Sequence, residues 1–385
     1  MPCAKCGTFY GWSVETDLID RMRQGMRDRG VAAMVVTPGA DLRFLADYDA
    51  KALERLTALV IPATGSSVLI APQLEEGEAR ESGFGHAGGR VVTWTETEDP
   101  FSIVATIVDE TGPGALAVDD HMWAQRVLRL REVLPEREQV LAGAIISEVR
   151  QRKTSAEVEH LQHAASAIES VHARVPDIIK VGMTEAEAGR LIAEAIIDAG
   201  HVSVDFVIVA SGPNGANPHH AVSDRVIESG DPIVVDIGGT MPSGYRSDCT
   251  RTYVMGEASE DFLQAYAVLQ AAQESAVGFV APGRTCEAID AHARDLMTTY
   301  MFEETPLSEY FIHRIGHGIG LESHEEPYLV AGNTDPVESG MAFSIEPGFY
   351  VPGRFGARIE DIVVCTPDGV RNLNLSSHDL VRIPA

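Results

Sequence analysis

Four carboxylates and one imidazole stand in this sequence where the local pattern is one of buried strand. Asp236 closes the run Pro232-Ile233-Val234-Val235. Asp248 lies between Ser247 and Cys249, and His317 between Gly316 and Gly318. Glu346 follows Phe343-Ser344-Ile345, and Glu360 precedes Asp361-Ile362-Val363-Val364. A carboxylate in such an apolar or glycine-punctuated run is costly to bury unless it is paired or bound to a metal. Singly, each has a bland reading. Either aspartate could serve a turn, Glu346 before Pro347-Gly348 could end a strand, Glu360 and Asp361 could pair with Arg358, and His317 could be a core histidine. Together, in one stretch from Asp236 to Glu360, they read as a metal cluster.

The remaining sequence bounds the setting for such a cluster. At 385 residues the chain is long enough for two domains or one large one, and 45% hydrophobic content supports sizeable cores. Against 30 Lys and Arg stand 57 Asp and Glu, a net charge of −27. Such a chain is repelled by nucleic acid and by anionic membrane surfaces, so neither is an expected partner. No apolar run approaches the roughly 18 residues of a membrane-spanning helix. The amino terminus carries no basic-plus-apolar signal segment, and the expected location is cytoplasmic. The five cysteines, Cys3, Cys6, Cys249, Cys286 and Cys365, are odd in number and scattered, which implies no disulfide framework. Cys3-x-x-Cys6 has no second such pair and reads as incidental.

Taken in order, residues 1–13 are an aperiodic lead-in. Leu18, Met22 and Met26 recur at helical spacing up to Gly30. Short apolar runs at Val31–Val36, Leu59–Ile61, Ser67–Ala71 and Ala115–Val118 read as strands, the middle two as a hairpin, and residues 121–133 as a helix. Strands alternating with helices predict a small α/β domain over residues 14–148. It contains no P-loop and no G-x-S-x-G. Thr154-Ser-Ala-Glu157 and Thr184-Glu-Ala-Glu187 are capping boxes, each opening a helix with an apolar face. Residues 206–210, 232–237 and 250–255 read as strands, the last two joined by a turn around Met241–Gly244. Ser211–His220 is a loop by composition. Ser259 caps a further helix, another spans about 285–300, and strands return beyond 310. Residues 149–385 are therefore expected to be one α+β domain with its site on the sheets.

The five residues in this order resemble the "pita-bread" metallopeptidases, peptidase family M24, which includes methionine aminopeptidase, Xaa-Pro aminopeptidase and prolidase. The resemblance covers about residues 150–385, and the part before it resembles the creatinase/prolidase amino-terminal domain. It implies that Asp248 and Glu360 bridge two divalent ions, that Asp236 binds one ion, and that His317 and Glu346 bind the other. Carboxylates and imidazole without thiolate suit Mn²⁺, the first expectation, or Co²⁺ or Zn²⁺. A metal-bridging hydroxide would be the nucleophile. His219, His313 and His324 are implied as catalytic groups that stabilise the oxyanion and shuttle a proton, with His219 and His324 contacting substrate. Glu346 would double as base. Arg358, in Arg-Ile-Glu-Asp, resembles the Xaa-Pro-cleaving branch and is a candidate substrate contact. Asp236 and Asp248 are one residue further apart than is usual in the family, and the extra residue is assigned to the turn. Tyr328 stands near where some prolidases carry an arginine suited to a dipeptide's carboxylate.

The resemblance implies an exopeptidase that hydrolyses the Xaa-Pro bond at the amino terminus of peptides or in dipeptides. The amino-terminal domain further implies a homodimer. A creatinase-like amidinohydrolase is disfavoured because those enzymes lack the full ligand set. A non-catalytic metal-binding relative of the same fold is disfavoured for the same reason.

Overall fold

The structure, a computed structural model, describes residues 15–385. The lead-in over residues 1–13, with Cys3 and Cys6, lies outside the described residues. The chain divides into two compact units that join in sequence between Arg150 and Gln151, just beyond the boundary expected from composition.

The first unit opens with helix α1 (Glu15–Asp28), which buries Met22 and Met26 completely. Six strands follow: β1 (Val31–Val36), β2 (Ala58–Pro62), β3 (Val68–Pro72), β4 (Arg90–Trp94), β5 (Ala115–Val118) and β6 (Gln139–Leu141). They form one mixed sheet in the order β4-β3-β2-β1-β5-β6, with β2 and β3 the antiparallel hairpin read from sequence. Alternating side chains of these strands feed two cores. Leu59 packs with Met22, Leu42 and Ile145 on one face, and Val60 with Ala33, Val104 and Leu130 on the other. Helix α2 (Ala124–Val133) starts later than its periodicity suggests. The Asp119 side chain accepts from His121 N and its carbonyl from Met122 N, so these residues turn before the helix begins.

The second unit is built twice over from a helix pair and an antiparallel sheet. In the first half, α3 (Ser155–His172) and α4 (Glu185–Asp198) both start at the complete capping boxes of Thr154/Glu157 and Thr184/Glu187. They back the strands β7 (Ser203–Ser211), β8 (Pro232–Thr240) and β9 (Arg246–Met255) through a core that includes Ile168, Ile192, Val209 and Ile237. In the second half, α5 (Glu260–Phe279, capped by Ser259) and α6 (Cys286–Met297) back a five-stranded sheet. Its strands are β10 (Gly316–Gly318), β11 (Glu325–Leu329), β12 (Ala342–Ile345), β15 (Asp361–Thr366) and β16 (Gly369–Asn372); β13 (Gly348–Val351) and β14 (Phe355–Arg358) form a hairpin between β12 and β15. Phe262, Phe343, Phe349 and Val363 anchor that core. A final strand, β17 (Val381–Ile383), returns to pair parallel with β9.

Strands β8 and β9 run further than the apolar pattern indicates, because most of the added residues, among them Gly238, Gly239, Thr240, Ser247 and Asp248, are buried without being apolar. With the helices covering one face of each sheet, the polar residues collect on the faces left uncovered. Cys249, Cys286 and Cys365 are free and buried. No helix of the described residues is long and apolar enough to cross a membrane.

Candidate metal centre

The register of β8 against β9 fixes the first two carboxylates. Asp236 lies opposite Thr250 and Gly238 opposite Asp248, which puts the aspartates diagonally on one face. The register is unbroken from Pro232/Val254 to Thr240/Arg246, and the long spacing is taken up in the turn Met241–Tyr245. Glycine at 238 leaves room for Phe206, whose ring a Cβ there would approach to 2.5 Å.

The other three donors come from the second sheet. Glu360 is presented by Thr250, which gives its carbonyl to Glu360 N at 3.1 Å and its hydroxyl to Glu360 Oε2 at 2.7 Å. Ile345 on β12 lies opposite Asp361 on β15, so Glu346 and Glu360 stand just beyond the paired ends of these two strands. His317 on β10 is next to β12, close enough that a Cβ on Gly316 would fall 1.9 Å from the Ser344 carbonyl. Ser344 Oγ accepts from His317 N and donates to Glu346 Oε1. All five predicted ligands thus converge. His317 Nε2 lies 3.3 Å from Glu346, 3.8 Å from Asp248 and 3.9 Å from Glu360.

These residues fit a bound cation. Asp236 Oδ1 and Glu360 Oε1 are buried with no hydrogen-bond partner among the described residues, an arrangement that costs free energy unless something positive fills the gap. Burial raises the Asp248 carboxyl well above its usual range, with the Glu360 and Asp236 charges adding to it; burial does the same to Glu360, with Glu346 and Asp236 adding. Burial pushes Glu346 up to about 8. Burial also drives His317 down to about 3, so its ring is neutral. Its Nδ1 faces the Gly318 carbonyl at 3.2 Å, which leaves the Nε2 lone pair for the cluster. Three donor groups can be drawn: Asp236, Asp248 and Glu360; His317, Glu346 and Glu360; and Asp248, His317 and His324.

Around the donors is a pocket of about 360 Å³, walled by Phe206, Ile208 and Pro218 and edged by His219, His313, His324, Arg314 and Arg358. His219 is exposed to it, whereas its neighbour His220 turns away and meets Glu185 at 2.7 Å. His313 has both ring nitrogens engaged, by the Arg314 carbonyl at 2.7 Å and the Tyr350 hydroxyl at 2.8 Å, and burial drives it down to about 3. The His324 ring stands 3.9 Å from that of His317.

Arg358, expected as a substrate contact, is buried and committed. It donates from Nη2 to Asp236 Oδ2, from Nη1 to Tyr350 Oη at 2.7 Å and from Nε to Thr250 Oγ1 at 3.1 Å. It does not pair with Asp361, whose partner is Arg251 at 2.7 Å. Burial alone would raise Asp361, but hydrogen bonding from His378 and the Arg251 charge bring it down to about 2. Sequence reasoning missed Tyr350 and Glu185, whose roles depend on contacts between distant segments.

Two helix-backed sheets with a carboxylate and imidazole cluster between them define a metal-dependent hydrolase of the pita-bread fold, here preceded by an α/β domain of the creatinase kind. Residues 159–367 match the profile of metallopeptidase family M24, and residues 19–152 match the creatinase/prolidase N-terminal domain. The chain is similar to a probable dipeptidase PepE of Mycobacterium tuberculosis, 48% identical over 360 residues, covering 93% of each chain. It is 32% identical to an Xaa-Pro dipeptidase of Lactobacillus helveticus, over 95% of this chain and 99% of that one. The crystal structure of dipeptidase PepE from Mycobacterium ulcerans superposes with a TM-score of 0.91 at 47% identity, covering 98% of this chain and all of the other. The chain belongs to metallopeptidase family M24.

Proposed function

We propose that the protein is a dinuclear-metal dipeptidase that hydrolyses the Xaa-Pro bond. The observation that carries this reading is that two carboxylate-bearing donor groups, Asp236 with Asp248 and Glu360, and His317 with Glu346 and Glu360, lie side by side and share Glu360, as a bridging ligand would be shared, while Asp248 also reaches to 3.8 Å from His317 Nε2 as a second carboxylate between them. Asp236 would complete one ion's shell, and His317 and Glu346 the other's. Four carboxylates balance the charge of two divalent cations, and the donor chemistry favours Mn²⁺, with Co²⁺ or Zn²⁺ as alternatives. When bound, such ions supply Lewis acidity, polarising the scissile carbonyl and lowering the pKa of a water that attacks it.

The chain's own residues do the rest. Glu346 takes the proton of the attacking water. His219 and His324, whose rings edge the pocket, face the carbonyl oxygen as it gains charge and pass a proton to the departing nitrogen. His313, with both nitrogens engaged, holds Tyr350. Tyr350 in turn supports Arg358, so Arg358 acts on substrate through Asp236 and not by contact. Phe206, Ile208 and Pro218 offer an apolar wall for the proline ring.

A dipeptide is favoured over a longer peptide because the pocket, at about 360 Å³, is near the small end of the ~300–1,000 Å³ range for small-molecule sites. The relatives named dipeptidases, matched over nearly their whole length, support the same choice. We further propose a cytoplasmic homodimer. The test is to chelate the protein, restore Mn²⁺, Co²⁺ or Zn²⁺ separately, and follow cleavage of Ala-Pro beside Ala-Pro-Ala. Cleavage of Ala-Pro alone supports the proposal, and cleavage of both makes the protein an aminopeptidase. No cleavage with two ions bound per chain would overturn it.

A further inference from the structure

The first unit holds a second pocket, of about 840 Å³, that the chemistry above leaves unused. It lies beside the first turn of α2, and Trp94, Phe101, Trp123 and Leu128 give it apolar walls. Arg126 lines it and is only 3% exposed. Its Nη2 donates to the carbonyls of Leu53 and Arg55, the second at 3.2 Å, and its guanidinium carbon lies 4.7 Å from the centroid of the Trp123 ring. Its Nε is buried without a hydrogen-bond partner, and no carboxylate among the described residues pairs with the group. A buried guanidinium that meets only carbonyls and a ring is a charge left uncompensated. Burial lowers its pKa, with the Asp119 charge opposing, and Asp119 is itself taken up by Thr37 and by His121 N. The carboxylates of the pocket wall are likewise committed. Arg129 holds Asp99 at 2.9 Å and Glu132 at 2.8 Å, Glu54 meets Arg55 at 2.7 Å, and Glu98 accepts from Thr95 N and Oγ1.

We propose that this pocket is a second ligand site, which binds a carboxylate with an aromatic or branched apolar body, the head on Arg126 and the first amides of α2 and the body against the aromatic walls. Two independent features meet at the head. The first amides of a helix have no partner within it, and Trp123, at the cap, has no side chain that can accept from them. The helix dipole adds partial positive charge at that end. Arg126, in the same turn, brings a full charge and an unused donor, which an anionic oxygen would satisfy. The walls decide the body. An inorganic anion would leave the indole and phenyl faces against water, whereas an apolar body covers them. The volume is within the ~300–1,000 Å³ range of small-molecule sites. A free aromatic acid and the carboxyl terminus of a peptide that ends in an apolar residue both offer this chemistry.

The test follows tryptophan emission, since two of the chain's three tryptophans, Trp94 and Trp123, line the pocket. The full Mn²⁺-loaded chain is titrated with 3-phenylpropionate and with its carboxamide, and calorimetry checks each Kd. The expected Kd of the acid is about 10- to 100-fold lower than that of the amide, the size of one charge-assisted pair. Gln125 is exposed in the same turn as Arg126, so its replacement leaves the core intact. Q125E sets a carboxylate beside the place of the ligand's own and is expected to abolish the preference for the acid, whereas Q125K keeps or strengthens it. Equal binding of acid and amide by wild type would overturn the proposal, as would Q125E and Q125K shifting the acid's Kd alike. A preference that survives in Q125E would overturn it too, by placing the carboxylate on the metal centre. N-acetyl-Gly-Gly-Phe separates the two sources: acid-selective binding as tight as that of 3-phenylpropionate supports a site for a peptide's carboxyl terminus, and binding of the short acid alone supports a site for a free acid.

Discussion

His220 and Glu185 meet at 2.7 Å, and this contact decides which of two adjacent histidines can reach substrate. Glu185 is completely buried at the start of α4. It accepts from Ser211 N and Oγ, from Asn214 Nδ2, from Ser223 Oγ and from His220 Nε2. These partners lie on both sides of His219, so the carboxylate ties down the loop from which His219 projects. Glu185→Gln turns one acceptor into a donor facing donors and is expected to cost about 2–3 kcal/mol, read by denaturant unfolding. His219→Ala removes an exposed ring. It is expected to leave the unfolding midpoint within about 0.5 kcal/mol of wild type while lowering kcat about 10²–10⁴-fold. A His219→Ala variant with undiminished kcat would remove His219 from the mechanism.

Arg358 and Asp236 make the corresponding buried ion pair, with both side chains largely shielded from water. Truncating one partner of such a pair strands the other charge, at a cost of about 3–5 kcal/mol. Arg358→Met is therefore expected to destabilise the chelated protein by that amount. Because Asp236 loses its orienting donor, it should also weaken binding of one of the two ions. A titration with Mn²⁺ checks this: one site weakened and one retained is the expected outcome, and unchanged affinity at both sites would show that Arg358 does not position Asp236.

The candidate metal cluster was legible because its chemistry interrupts a regular pattern. Asp236, Asp248, His317, Glu346 and Glu360 are polar residues where strand alternation calls for apolar ones, and breaks of that kind mark sites. The hairpin β2–β3 and the capping boxes of α3 and α4 were legible because they depend on residues a few positions apart. Arg358 was legible only as a candidate substrate contact. Nothing local to it reveals that Asp236, 122 positions away, is its partner. Tyr350 escaped for the same reason, since His313 lies 37 positions before it. Glu185 was visible only as part of a capping box, and the loop it secures begins 26 residues later. The repeated helix-pair and sheet plan of the second unit is a relation between backbones, and no sequence repeat announces it.

Sharing of Glu360 between donor groups predicts an asymmetric loss of metal. Glu360→Gln keeps the size of the side chain and its bond from Thr250 but removes a charge that both ions would use. The expected content, measured by atomic emission on dialysed protein, falls from two ions per chain to one or none. Asp236→Asn, which touches one ion only, is expected to retain one. Two ions retained in Glu360→Gln would contradict the bridging assignment.

The stability of the metal-free protein should fall as pH rises, the reverse of the usual carboxylate behaviour. Glu346, raised to about 8 by burial with the Asp236 charge adding and the Arg358 charge opposing, titrates near 4.5 once unfolded. Between those values the folded chain holds a proton that the unfolded chain has lost. Each step up in pH then favours unfolding until Glu346 ionises in both states. Asp248 and Glu360, also raised, act in the same sense. The buried histidines His313 and His317, lowered to about 3, act oppositely, but only below about 6.5, where the unfolded rings take up protons. Above that pH the carboxylates act without this opposition. The melting temperature of chelated protein is therefore expected to drop between about pH 6.5 and 8.5. With saturating Mn²⁺ the drop should vanish, because the ion replaces the protons, and each binding event should release protons into the buffer. Calorimetry in two buffers of different ionisation enthalpy measures that release. A melting temperature of the chelated protein that rises through this window would mean that the carboxylates do not crowd one another as the geometry requires.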